Sequence, residues 1–154
     1  MIAIEIINYE KQYHEDFRRL SYEWLEKYVS VEPEDERILA NPQEIILDKG
    51  GYIFLAVYRG EVVGTVSLIK VDEIVFELAK FAVTEQYQGL GIARRLMDHC
   101  LKVARQEQSA KIILYTNHKL VSAIALYRKY DFVDVPIVDN KYLESDMRME
   151  LRLS

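Results

Sequence analysis

At residues 86–93 the chain reads Gln86-Tyr87-Gln88-Gly89-Leu90-Gly91-Ile92-Ala93. The preceding segment, residues 75–83, is mostly apolar and predicts a buried strand, whereas residues 92–106 carry apolar side chains at helical spacing. The two glycines are therefore expected where a strand ends and a helix begins. Such a junction can bind phosphate, because glycine lets an anion reach the backbone and the first helical turn has unpaired N–H groups.

The glycine spacing excludes two other phosphate-binding loops. The dinucleotide-binding fold needs G-x-G-x-x-G, and a P-loop needs a Gly-Lys-Ser/Thr sequence that does not follow here. The observed pattern is Q-x-x-G-x-G. The glycines alone are equally compatible with a strand–helix loop that binds no ligand.

Composition predicts one globular domain covering residues 1–154. Half of the residues are apolar, and this length is sufficient for one hydrophobic core. The net charge of −5 argues against nucleic-acid binding and suits a cationic partner such as an amine. The single cysteine, Cys100, excludes an internal disulfide. Because there is neither a signal sequence nor an apolar run of membrane-spanning length, we expect a cytoplasmic protein without membrane contact.

Apolar periodicity predicts the element order β-α-α-β-β-β-α-β-α-β-β. The strands at residues 52–58, 62–70 and 74–83 should form an antiparallel meander. The strand at residues 112–116 is reached through a helix, so it should lie parallel to the last strand of the meander. The other predicted segments are strands at 2–8, 132–135 and 147–153, and helices at 13–28, 32–36 (a helix start), 43–48, 92–106 and after Asn117.

Three segments together resemble the GCN5-related N-acetyltransferase (GNAT) family. They are residues 77–83 with the glycine loop, residues 112–117 (IILYTN) and residues 123–132 (AIALYRKYDF), which is similar to the family ending A-x-x-L-Y-x-K-x-G-F. The resemblance implies an α/β acyl-CoA N-acyltransferase fold: a mixed central sheet, with an antiparallel meander and then a βαβ crossover, flanked by helices. Asp131 replaces the usual glycine, and we expect the turn to survive because aspartate tolerates the left-handed conformation.

The same resemblance implies acetyl-CoA as cosubstrate. In this family the strand before the loop pairs through its backbone with the pantetheine arm, and the loop holds the pyrophosphate. Asn117 would contact pantetheine or cap the next helix. The implied cofactor-binding residues are Phe81, Ala82, Val83, Gln88, Gly89, Leu90, Gly91, Ile92, Ala93, Arg94 and Asn117. No metal is expected, because the three histidines have no ligand spacing with one another or with the cysteine.

Two residues are candidates for the chemistry. An amine that attacks a thioester must lose a proton, and Glu77 matches the catalytic glutamate of the histone-acetylating branch of the family. It would act directly or through a water; the alternative is a structural carboxylate that pairs with Lys80 or a strand neighbour, or that orders a water. Tyr127 lies at the family's position for the acid that protonates the CoA thiolate, and a core tyrosine is the alternative. In an extended strand, Glu77 would share a face with Val75, Ala79, Phe81 and Val83.

The acceptor amine is left open by the sequence. Trp24 and Tyr28, near several acidic residues, are candidates for binding a small cationic acceptor, and core packing is the alternative for both. A protein lysine or N-terminus would suit the same features. A non-catalytic acyl-CoA-binding regulatory module would keep the loop without needing Glu77 or Tyr127. Homodimer formation is neither indicated nor excluded.

Overall fold

The computed structural model describes residues 3–138 and 141–153. Its strands are β1 (Ile4–Asn8), β2 (Tyr52–Tyr58), β3 (Glu61–Asp72), β4 (Val75–Val83), β5 (Lys111–Thr116), β6 (Val133–Val135) and β7 (Met147–Arg152). Its α-helices are α1 (His14–Tyr28), α2 (Pro33–Ala40), α3 (Ile92–Gln106) and α4 (Val121–Lys129). Residue 2, part of the predicted first strand, lies outside the described residues.

The strands form one mixed sheet in the order β1-β2-β3-β4-β5-β7-β6. β1 to β4 pair successively in antiparallel directions, and β4 pairs with β5 in parallel. Because α3 connects β4 to β5, this parallel pair is the predicted βαβ crossover. The predicted fold and element order are confirmed; the predicted short helix at residues 43–48 is a π-helical turn, Gln43–Leu47.

Helices cover both faces of the sheet. α3 packs on one face, where Leu96 and Cys100 are fully buried, and α1 and α2 cover the other face with Phe17 and Ile38. Burial raises the pKa of the Cys100 thiol, so this residue is part of the core and not a nucleophile. No helix in the described residues is both long and apolar enough to cross a bilayer.

β4 and β5 pair only over their first residues. The parallel register joins Val75 to Lys111 and ends where Glu77 meets Ile113. β4 then continues to Val83 without β5 beside it. On that side the backbone groups of β4 beyond Glu77 have no partner in β5, and of these the Val83 carbonyl accepts a hydrogen bond from Gln88. Glu77 marks the point where the two strands separate.

The predicted alternation along β4 is wrong beyond Ala79. Lys80 has a φ of 51°, and the β3–β4 register shifts there, because Ser67 pairs with Ala79 but Thr65 pairs with Ala82. This extra residue is a β-bulge, which changes the face of the residues that follow. Ala79 packs against the core under α1 and α2, whereas the side chains of Phe81 and Val83 pack against the core under α3.

The end of α4 confirms the prediction for Asp131. This residue has a φ of 71°. Its amide donates to the Arg128 carbonyl at 3.0 Å, and the Phe132 amide donates to the Tyr127 carbonyl at 3.1 Å. These two bonds form a Schellman motif, in which aspartate adopts the conformation usually taken by glycine.

Candidate active site

The glycine loop between β4 and α3 has the geometry of an anion site. Gly89 and Gly91 both have a φ of 83°, and a Cβ on either would meet no atom within 4 Å, so backbone conformation requires glycine there. Gln88 Nε2 donates to the Val83 carbonyl at 3.2 Å and holds the loop against the end of β4. The first helical hydrogen bond of α3 runs from the Arg95 amide to the Gly91 carbonyl, at 3.1 Å. The amides of the first helical turn before Arg95 are therefore available to a ligand.

A groove of about 630 Å³ extends from this loop towards the start of α4. Arg94 lines it, whereas Arg95 turns away and donates to the Ile4 carbonyl at 2.8 Å. The predicted residue Leu90 is exposed and does not line it. The residues that line the groove alone include Tyr28, Val83, Gln88, Gly89, Gly91, Ile92, Ala93, Arg94, Lys119, Val121, Ser122 and Leu126.

A smaller cavity of about 120 Å³ adjoins the groove. It lies at the point where β4 and β5 separate, and Glu77 and Ala82 form part of its wall. The side chains that line both spaces are Trp24, Phe81, Leu120, Ala123 and Tyr127. A molecule bound along the groove would thus present one end to Glu77.

Glu77 is held by residues of the β6–β7 connection. Its side chain is 4% exposed, and Lys141 Nζ lies 2.9 Å from its Oε1. The Tyr142 phenol also interacts with it; burial, followed by the charges of Glu77 and Asp35, raises the pKa of Tyr142. Glu77 is therefore a buried carboxylate that already contacts an amine.

The alternative in which Glu77 pairs with Lys80 is wrong. The bulge turns Lys80 towards α2, where its ammonium forms an ion pair with Asp35. Both side chains are about 5% exposed. Asp35 is fixed in turn by the start of α2, since its second oxygen accepts the Glu32 amide at 2.9 Å. Lys80 and Asp35 thus compensate each other's charge beside the cavity, as burial requires.

The segment formed by residues 141–145 is fixed against the cavity. The Glu32 carboxylate accepts the amides of Leu143 at 2.6 Å and Glu144 at 2.9 Å. A hydrogen bond also joins Ser30 to the Glu144 side chain. These contacts tie the β6–β7 connection to the region between α1 and α2.

Asn117 holds residues 141–145 from the other side of the cavity. The prediction that Asn117 caps α4 is wrong. Its amide group donates to the Glu144 carbonyl at 2.6 Å, while its Oδ1 accepts the Lys119 amide at 2.9 Å. α4 begins at Val121, with Leu120 at the N-cap position. Asn117 therefore lines the small cavity and stabilises the turn before the helix.

Tyr127 packs against the core under α3, which is one of its two predicted alternatives, and its side chain also borders both spaces. Its ring packs on Phe132 at a centroid distance of 5.8 Å. Burial raises the pKa of Tyr127 to about 12. The hydroxyl thus stays protonated near neutral pH and can donate a hydrogen bond.

The two predicted acceptor-binding rings lie in different places. Trp24 and Tyr28 contact each other at 5.3 Å, but only Trp24 reaches the small cavity. Tyr28 is 41% exposed and lines the groove. No cluster of three or more potential metal ligands occurs in residues 3–138 and 141–153.

The comparisons with known proteins agree with this geometry. A model of the acetyltransferase (GNAT) family matches residues 10–132, so the chain belongs to the GNAT family of acetyltransferases. It is 31% identical to N-acetyltransferase family 8 member 2 of Rattus norvegicus over 99 residues, which are 61% of this chain and 44% of that protein. The chain thus spans less than half the length of the curated relatives it matches.

Two solved structures show the same fold. An acetyltransferase of the GNAT family from Staphylococcus aureus Mu50 is 25% identical, with a TM-score of 0.90 over 99% of this chain and 100% of that chain. A putative acetyltransferase from Salmonella typhimurium, solved with its cofactor acetyl-CoA, is 16% identical, with a TM-score of 0.79 over 99% and 95% of the two chains.

Sequence reasoning missed the residues that surround Glu77. Lys141 and Tyr142 lie in a polar connection without periodicity, so no local pattern indicated them. The sequence indicates Glu32 and Asp35 as part of a helix start and as acidic residues near a cationic acceptor, and it gives no sign that they anchor other segments. The reciprocal hydrogen bonds between residues 32 and 35 form a capping box, and that spacing was the available signal that these two acids fix α2.

Proposed function

We propose that this protein is an N-acetyltransferase that transfers the acetyl group of acetyl-CoA to a primary amine by direct transfer in a ternary complex. One observation carries the proposal: the groove at the glycine loop opens, past Tyr127, onto a cavity with Glu77 in its wall. The free amides at the start of α3 suit a pyrophosphate, and the unpaired edge of β4 suits the amides of a pantetheine arm.

The residues at the junction would divide the chemistry. Glu77 would take a proton from the acceptor ammonium, directly or through a water, and the neutral nitrogen would attack the acetyl carbonyl. The carbon–sulfur bond then breaks. Tyr127 would donate a hydrogen bond to the departing thiolate, since it lines both spaces and its phenol remains protonated.

The charge of the small cavity supports a small cationic acceptor. Its charged lining side chains are Glu32, Asp35, Glu77, Glu144 and Lys80, which is four carboxylates and one ammonium. The Lys141 ammonium beside Glu77 offsets one of these charges, and the net negative charge that is left attracts amines. The cavity volume of about 120 Å³ admits only a slender group, so a small polyamine suits it, and the end of a lysine side chain would also fit.

The experiment is thiol release from acetyl-CoA with a panel of amines: polyamines, amino acids, aminoglycosides, and peptides with a free lysine or N-terminus. Each diamine is paired with the monoamine of equal chain length, so that the second charge is the only difference. We expect turnover with a higher kcat/KM for the diamine. Turnover with the peptides alone would show that the acceptor is a protein and not a small amine. If no amine is acetylated but acetyl-CoA still raises the Tm, the proposal of an enzyme is wrong, and a non-catalytic regulatory module that binds acyl-CoA takes its place.

A further inference from the structure

We propose that Lys141 is an acetyl acceptor within its own chain, so that the protein modifies itself when acetyl-CoA is bound and no external amine is present. This inference rests on the proposed N-acetyltransferase function. It assigns a modification site in the β6–β7 connection, with an N-acetyllysine as its product.

The position of the Lys141 amine is the first argument. Its nitrogen lies 2.9 Å from Glu77 Oε1, within the distance at which a general base can take a proton from an acceptor. The Glu34 carboxylate is 3.6 Å away, and the Tyr142 ring centroid is 5.6 Å from the same nitrogen. Two carboxylates and an aromatic ring thus hold the lysine ammonium directly beside the candidate base.

The backbone around Lys141 is the second argument. Residues 143 and 144 are anchored by Glu32 and Asn117, and residues 142, 144 and 145 line the small cavity. The lysine is therefore delivered to Glu77 by an ordered segment that already borders the reaction space. Its own side chain is 33% exposed, which leaves it room to turn from the carboxylate towards the junction with the groove.

Lys80 provides an internal comparison. It lies next to the same cavity, but its ammonium is about 5% exposed and is paired with Asp35. Deprotonating it would leave a buried carboxylate without its partner, which is unfavourable. Lys141 has no such restriction, because its pair with Glu77 is the contact that the proton transfer itself uses. The structure therefore favours Lys141 over Lys80.

The chemical step is balanced with acetyl-CoA as the only co-reactant. The Lys141 ammonium gives one proton to Glu77, and its nitrogen attacks the acetyl carbonyl. The new carbon–nitrogen bond forms, the carbon–sulfur bond breaks, and a second nitrogen proton goes to the thiolate. Glu77 then releases its proton to solvent. The products are free CoA and a neutral acetyllysine, which can no longer form an ion pair with Glu77.

The test uses the full chain with acetyl-CoA and no added amine. Intact mass spectrometry counts acetyl groups, and peptide mapping locates them. We expect one acetyl group, on Lys141, at an initial rate per molecule that does not change with protein concentration, as an intramolecular reaction requires.

The variants test the role of the base. Glu77→Gln should slow the acetylation of Lys141 by at least about 100-fold. Lys141→Arg keeps a cation beside Glu77 and should remain unmodified, while Lys129→Arg, on the exposed surface of α4, should react like wild type.

The outcomes separate this inference from the proposed function. External amines are assayed by thiol release on the same sample, and circular dichroism confirms that each variant is folded. Turnover on amines with no acetyl group at Lys141 overturns the inference alone. Acetylation spread over surface lysines and unaffected by Glu77→Gln also overturns it, because that pattern is uncatalysed. No turnover and no acetylation overturn both.

Discussion

At the residue scale, Glu77 should be required for turnover and not for acetyl-CoA binding. Glu77→Gln preserves the shape of the side chain but removes the proton acceptor, so we expect kcat to fall by at least about 100-fold with little change in the KM for acetyl-CoA. Thiol release at saturating amine measures this. Glu150→Gln is the control, because Glu150 is also buried and paired with a lysine, Lys111 at 3.3 Å, but lines neither cavity. Equal losses in both variants would contradict the role of a base.

Tyr127 should act as a hydrogen-bond donor, in contrast to Glu77, which should accept a proton. Burial raises the pKa of Tyr127 from 10.0 to about 12. A thiol has a pKa of about 8.5, so the phenol is too weak an acid to give its proton fully to the thiolate and should instead stabilise it by a hydrogen bond. Loss of one such donor costs about 100-fold in kcat. We expect that loss in Tyr127→Phe at every pH from 6 to 9.

The matched control for Tyr127 is Tyr130→Phe. Tyr130 lies one turn later, its pKa is also raised to about 12, chiefly by burial, and its hydroxyl bonds to Asp98 outside both cavities. Removing this hydroxyl should leave kcat unchanged. Full turnover by Tyr127→Phe would rule out any role in the leaving-group step and leave Tyr127 as a core residue.

At the element scale, the loop before α3 can be tested separately from the chemistry. Gly91→Ala places a Cβ at a φ of 83°, a conformation that is unfavourable by about 1–2 kcal/mol for other residues. If the loop shifts to relieve this strain, the amides of α3 no longer converge on the pyrophosphate. We expect the Kd for acetyl-CoA to rise by about 10-fold, since 1.4 kcal/mol corresponds to that factor.

Gly50→Ala is the control for Gly91→Ala. Gly50 also has a positive φ, of 91°, but it precedes β2, and the nearest atoms to a Cβ added there belong to the flexible end of the Lys70 side chain. Its replacement should lower the Tm by a similar amount and leave acetyl-CoA affinity unchanged. Isothermal titration calorimetry distinguishes the two variants. Equal affinities in both would mean that the loop does not bind the pyrophosphate.

The C-terminal end of α4 offers a stabilising substitution. Asp131 adopts the left-handed conformation in an otherwise complete Schellman motif. Asp131→Gly removes the strain of the side chain, and we expect a gain of about 1 kcal/mol, or roughly 2–4 °C in Tm. Asp131→Ala keeps a Cβ without the local polar group and should lower the Tm. A loss of stability in the glycine variant would show that the aspartate makes a compensating contact.

At the scale of the whole molecule, the sequence predicts the parts of the fold that local pattern determines. The apolar stripe of residues 92–106 predicts α3 and its buried face, and the positive φ of Asp131 follows from its place after a helix. The bulge at Lys80 could not be predicted in this way. A positive φ at a lysine depends on the register with β3 and on the ion pair with Asp35, which is distant in sequence.

The same distinction applies to the candidate site. Glu77, Tyr127 and the glycine loop lie in segments with recognisable patterns, and the structure brings them around adjoining spaces. Lys141 reaches Glu77 only because Glu32 anchors the β6–β7 connection from more than a hundred residues earlier in the chain. The contact between Lys141 and Glu77 depends on hydrogen bonds between residues distant in sequence, and such bonds leave no periodic pattern in the sequence.

Three tyrosines with raised pKa values predict how the whole molecule responds to alkali. Tyr52, Tyr127 and Tyr130 have pKa values of about 12 in the folded chain, against 10.0 for an unperturbed tyrosine. For Tyr52 the main cause is its hydrogen bond to Glu107, and for the other two it is burial. The folded state therefore binds these protons more tightly than the unfolded state does. The resulting stability is present in full below about pH 10 and is lost as the pH rises towards 12.

We expect the Tm to stay nearly level between pH 7 and 9 and to fall between about pH 10 and 12 as these tyrosines ionise on unfolding. Lysines lose their charge in the same interval, so wild type alone cannot assign the effect. Tyr127→Phe removes one of the titrating phenols and leaves every lysine, and its Tm should therefore fall less than that of wild type over the same pH range. Scanning calorimetry measures both curves. An identical fall in the two proteins would show that Tyr127 ionises as easily in the folded chain as in water, and that its hydroxyl is not held in the dry environment on which its role beside the thioester depends.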